Sequence, residues 1–151
     1  MALVLTDQSG NGNTLTNTNA TEYTTDFPFV ASTEAVALSG TSQYLQANDS
    51  TSLSVTGDFT VEAWLKLDTP PSTVGTAFGV IVKDDLSAGS RSYTFHIHQT
   101  ANKPRLYFWS DSAAGSITQL ECNTALGTGV WTYVACAVTA STPSGAWYIN
   151  G

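Results

Sequence analysis

From Phe59 to Leu67 the chain alternates. Phe59, Val61, Ala63, Leu65 and Leu67 are apolar, and Thr60, Glu62, Trp64 and Lys66 stand between them. Strand side chains point to opposite faces with a period of two, so this run reads as a long half-buried strand. Asp68-Thr69-Pro70-Pro71-Ser72 ends it, because proline has no N–H to give a ladder.

The pattern recurs along the chain. Phe78 to Lys83 is a continuous apolar strand, and DDLSAGSR turns the chain after it. Tyr93, Phe95 and Ile97 alternate with Thr94, His96 and His98. A turn at Asn102-Lys103-Pro104 precedes a strand from Arg105 to Trp109. Ser116–Glu121, Trp131–Thr139 and Ala146–Ile149 read as further strands. Ala35 to Ala47 reads as two short strands across Gly40-Thr41-Ser42, and residues 14–33, which lack a period, as a wrapping loop. No long amphipathic helix is present. About nine short strands, with turn signals roughly every 8–12 residues, predict an all-β antiparallel sandwich or barrel.

At 151 residues the chain is expected to be one domain, with an N-terminal strand and wrapping loop over 1–34 and sandwich strands over 35–151. Charged residues make up 11% and the net charge is −7, with five lysines and arginines in all. A nucleic-acid partner needs a basic footprint on the whole protein, and an anionic membrane surface needs the same, so neither is expected. No apolar run approaches the roughly 20 residues that cross a bilayer. MALVLTDQSG has neither a basic start nor the apolar length of a signal peptide. Ser, Thr, Asn and Gly supply the polarity, which suits an extracellular or virion-surface protein. Cys122 and Cys136 read either as a cross-strand pair or as small core residues. The chain stops at Asn150-Gly151, the strongest two-residue hairpin signal, so a following strand is expected from a longer product or from another chain.

AVALSGTSQYLQANDSTSLSVTGDFTVEAWLK resembles the opening strands of the laminin-G-like, concanavalin-A-like jelly roll. GTGVWTYVACAVTASTPSGAWYING is similar to its later strand pair, and DQSGNGNTLT to the loop that often precedes it. The resemblance implies a β-sandwich that binds glycans or proteins, sometimes with calcium. Such domains usually continue past the Asn-Gly turn, which leaves an edge for self-association or for a partner chain.

The same jelly roll also hosts glucanases, which need two carboxylates across one sugar. Glu22, Glu34, Glu62 and Glu121 are scattered, and the glucanase-type Glu-x-Asp-x-x-Glu run is missing. Glu62 is expected to hydrogen-bond within its sheet. No Gly-x-Ser-x-Gly elbow and no phosphate-binding loop is present, so the chain is expected not to be an enzyme and to require no cofactor.

His96 and His98 point to one side of a strand and could begin a zinc site, but no third ligand is at hand. They are placed instead in a ligand groove. In the strand from Arg105 to Trp109, Leu106 and Phe108 suit the core. Arg105, Tyr107 and Trp109 then share the other face, an aromatic platform with a cationic donor for sugar hydroxyls. The competing reading makes Trp109 core. Trp64, Trp131 and Trp147 are read as packing residues.

Asp7, Ser9, Asn11 and Gly12 fit the first half of a calcium loop, but its twelfth position is Thr18. A looser calcium site would draw on Asp7, Asn11 and Asn13, and Asp84-Asp85 is a second candidate. The competing reading for each is a turn in which Asx side chains cap their own backbone. The expected function is noncatalytic recognition or adhesion of lectin type, toward a glycan or surface protein, on a phage or viral appendage or a cell surface. The alternative is a structural virion, filament or surface-layer component that assembles through sheet edges.

Overall fold

The computed structural model describes residues 4–19, 22–28, 34–85, 91–109 and 117–151. The chain divides into two compact units, Met1–Leu53 and Ser54–Gly151. All strand pairing within the sheets is antiparallel.

In the first unit β1 (Val4–Leu5), β2 (Leu15–Thr18) and β5 (Tyr44–Gln46) form a three-stranded sheet. β3 (Glu22–Thr24) pairs with β4 (Ala35–Ala37). One expectation is corrected here. Residues 14–33 do not simply wrap as a loop, because they contain β2 and β3. The strands on either side of Gly40 exist, but they do not pair with each other: β4 lies against β3, and β5 against β2. Long-range partners decided these short strands, and such partners leave no local period.

In the second unit β6 (Phe59–Lys66), β11 (Trp131–Thr139) and β12 (Ser144–Ile149) form one sheet in the order β12-β11-β6. β7 (Phe78–Lys83), β8 (Tyr93–Ile97), β9 (Pro104–Trp109) and β10 (Ile117–Glu121) form the other, in the order β10-β9-β8-β7. A single helical turn, α1 (Pro71–Val74), follows β6 and closes on Gly75 in the left-handed region at φ 75°. It begins at the prolines expected to end the strand, since proline's missing N–H is harmless at a helix start.

The two sheets share one core. Phe95, Ile97, Leu106 and Phe108 from one meet Val61, Val134, Cys136 and Val138 from the other. Aromatic contacts cross the interface: the Phe95 and Trp147 ring centroids are 5.8 Å apart, and Phe59 packs edge-on to Phe108 at 6.0 Å. The unit is therefore the all-β antiparallel sandwich that the alternation predicts. Pro104 sits at the first position of β9, and its carbonyl accepts the Cys122 N–H at 2.9 Å. Asn102 adopts φ 53° to turn the chain between β8 and β9.

Glu62 behaves as expected: its Oε2 accepts the Tyr133 hydroxyl at 2.6 Å across β6 and β11. Trp64 does not, because it is 41% exposed on the outer face of β6, beside Tyr133 at 5.5 Å. Its alternation with Ala63 and Leu65 already put it outside, and the general preference of tryptophan for the core does not override strand parity. Trp147 does pack against the core.

Both cysteines are free thiols and buried. Burial pushes the Cys136 thiol up to about 12. Neither thiol is expected to react with an aromatic disulfide reagent near neutral pH in the folded protein, and both are expected to react once it is unfolded in guanidinium. Stoichiometric reaction without denaturant would contradict this packing.

Candidate functional site

Register within the four-stranded sheet assembles the site. His96 on β8 lies opposite Arg105 on β9, and Arg105 lies opposite Glu121 on β10. Thr94 lies opposite Tyr107, which lies opposite Gln119. Leu106 is fully buried and Phe108 is 3% exposed, so Arg105 and Tyr107 face away from the core as the alternation requires. On β7, Gly79 lies opposite His96 and contributes no side chain. A β-bulge between Gly79 and Ile81 follows.

The result is an open depression of about 400 Å³. Thr94, His96, Tyr107 and Trp109 line it, with Gly79, Asp84 and Arg91 at one side. That volume falls in the range of roughly 300–1,000 Å³ typical of small-ligand sites. His96 and Tyr107 stack with centroids 5.3 Å apart and an interplanar angle of 23°. His98 lies 6.1 Å from His96, and its Nδ1 is 2.9 Å from the Thr100 hydroxyl. Thr94 Oγ1 is buried without a hydrogen-bond partner.

Both cationic donors are held in place. Arg105 donates from Nε to Glu121 Oε2 at 3.0 Å, from Nη2 to the same oxygen, and from Nη1 to the Tyr107 hydroxyl at 3.2 Å. Arg91 forks onto Asp84, from Nε to Oδ1 at 2.6 Å and from Nη2 to Oδ2 at 3.3 Å. The Arg91 guanidinium also lies over the Trp109 ring, 4.2 Å from its centroid, and Trp109 is only 5% exposed. The hydrogen bond from Arg105 holds the Glu121 carboxyl below its ordinary value. Burial lowers His96, and the positive charge of Arg105 and the neighbouring His98 lower it further.

Five residues singled out in the sequence, His96, His98, Arg105, Tyr107 and Trp109, thus come from adjacent strands to one sheet face. Asp84 joins them through Arg91, whereas Asp85 is an exposed neighbour that does not line the depression. Sequence reasoning missed Arg91 and Glu121. Arg91 precedes β8 and has no periodicity to mark it. Glu121 meets Arg105 only through the β9–β10 register, which no local pattern in the sequence supplies.

The Asp7 loop is built differently. Asp7 Oδ1 accepts the Ser9 N–H at 2.7 Å and Oδ2 accepts the Asn13 N–H at 2.8 Å. The Ser9 side chain first, and then the Ser9 and Asn13 backbone N–H groups, bring the carboxyl down to about 2. Asn11 donates from its backbone and its side chain to Ser9 Oγ at 3.2 and 3.0 Å. Asn13 Oδ1 accepts the Ser50 hydroxyl at 2.7 Å, and its Nδ2 donates to Ser52 Oγ at 2.9 Å. Gly10 and Gly12, at φ 81° and 76°, let the loop fold back on itself. These side chains cap their own turn. Among the described residues no three His, Cys, Asp or Glu groups gather as a metal cluster.

A family model, Laminin_G_3, described as the Concanavalin A-like lectin/glucanases superfamily, matches residues 39–151. Neither a curated protein nor a solved structure matches the chain.

Proposed function

The chain belongs to the concanavalin A-like lectin/glucanase superfamily, and from that premise we propose that it is a noncatalytic recognition module of lectin type that binds a glycan on the outer face of β7–β10. The observation that carries this reading is the stacked His96–Tyr107 pair beside clamped Arg105 and Arg91. Aromatic faces suit the C–H faces of a sugar ring, and fixed guanidinium donors suit its hydroxyls.

The carboxylates at this face support the noncatalytic reading. A glycosidase acid must hold its proton near neutral pH, which requires a raised pKa. Glu121 is instead lowered, and Asp84 is gripped by Arg91 at both oxygens. In this reading the module works on a cell, phage or virion surface and needs no cofactor, and calcium at Asp7, Asn11 and Asn13 or at Asp84 and Asp85 is a testable accessory.

Glycan-array screening with and without calcium tests the proposal. Binding is expected, and Tyr107→Ala is expected to weaken it by about tenfold or more. Trp64→Ala, on the opposite sheet, is expected to leave it unchanged. Loss of binding on calcium removal would make calcium a requirement of the module. No binding to any glycan would favour the structural-component alternative.

A further inference from the structure

The positive charge of this acidic chain is concentrated in one stretch of its sequence. Four of its five lysines and arginines (Lys83, Arg91, Lys103 and Arg105) and both histidines fall between residues 83 and 105. Elsewhere Lys66 stands alone against ten carboxylates. The strands that carry this segment, β7 to β9, are those that form the candidate site.

The groups around His96 can be named element by element. From β9 come Arg105, its register partner, and the stacked Tyr107. From β7 comes Gly79, with no side chain. On and just past β8 stand Thr94 and His98. Beyond β9, Glu121 of β10 is ion-paired to Arg105 and lies within electrostatic reach of Lys103 and His98. At the far end Arg91 and Asp84 neutralise each other. Among the described residues, Arg105 beside His96 and Lys103 near Glu121 are opposed by the Glu121 carboxylate. Among the described residues this cluster holds a net positive charge before His96 takes up a proton.

Building on the lectin reading, we propose that the ligand of this face is an anionic saccharide, bearing carboxylate or sulfate, and that it binds with uptake of a proton by His96. A negative group beside His96 favours the imidazolium and raises its pKa. By linkage the anion then binds more tightly as pH falls through the window in which the free imidazole is still neutral. Without ligand the sign is opposite. The lowered His96 holds fewer protons folded than unfolded, so its contribution is complete above its unfolded value and is lost as pH falls below it. An anionic ligand relieves that loss.

The test is a glycan array carrying neutral, carboxylated and sulfated saccharides, probed with the intact chain at about pH 7.5 and about pH 5.5, either side of the ordinary histidine value. Carboxylated or sulfated spots are expected to dominate, with affinity higher by about five- to tenfold at the lower pH, since one linked proton changes affinity by at most about tenfold per pH unit. The two acidic classes show which anion is preferred. His96→Gln is expected to flatten the pH ratio, and Lys103→Gln to weaken acidic ligands at both pH values. If His96→Gln fails to fold, which thermal unfolding reports, the pH ratio of the unmodified chain and the Lys103→Gln variant still decide the test. Preference for neutral glycans, or acidic binding without pH dependence in the unmodified chain, overturns this inference and leaves the lectin reading standing. No binding at either pH overturns both.

Discussion

Phe95→Ala is expected to cost about 3–5 kcal/mol of stability, the range for deleting a large buried aromatic. Phe95 is fully buried at the centre of β8, and it packs across the sheet interface on Trp147. Its loss removes apolar burial from both sheets and leaves a cavity between them that neither sheet can fill without changing register. Urea denaturation checks this. Trp64→Ala is the internal comparison, expected to cost less than about 1 kcal/mol because an exposed side chain gives up little burial. Equal losses at the two positions would mean that the faces of β6 or β8 are assigned wrongly, since a one-residue slip exchanges them.

Gly145→Val is expected to destabilise by about 3 kcal/mol, the upper end of the usual cost of overpacking. Gly145 on β12 pairs with Val138 on β11, yet it also faces β10 of the other sheet. A Cβ at this position would lie 2.5 Å from Leu120 Cδ1, 3.0 Å from the Ala137 carbonyl oxygen and 3.4 Å from Cys136 Sγ. Leu120 could rotate away from one added carbon, so Gly145→Ala is milder, at about 1 kcal/mol. Valine adds two more carbons, and the Ala137 backbone cannot move for them. Combining Gly145→Val with Leu120→Ala should recover part of the loss, because the two sites share one space and their effects are not additive. A change within about 0.5 kcal/mol in the single variant would show that the sheets stand farther apart here.

The strands legible in the sequence were those with internal periodicity. β6, β7, β8, β9 and β11 each alternate or run apolar over five residues or more, and each lies within a residue of its expected bounds. β2 and β3 escaped notice because LTNT and EYT are too short and too polar to carry a period. Strand parity fixed the faces of Leu106, Tyr107 and Trp109 correctly, and with them most of the candidate site. It could not show that Trp109 would be covered. Arg91 reaches that ring from outside its own strand and is held there by Asp84, a residue whose sequence context pointed to calcium.

That coverage ranks the two aromatics of the face. The flat side of Trp109 already has a tenant, and the cation–π contact that keeps Arg91 there is worth roughly 0.5–2 kcal/mol. A sugar reaching Tyr107 displaces nothing of the kind, whereas one stacking on Trp109 must first outcompete a guanidinium that Asp84 also retains. On the proposed lectin reading, selection for tighter binding would find its shortest route at Asp84. A change there loosens the arginine and uncovers a second aromatic ring without altering any residue of the sheet's core.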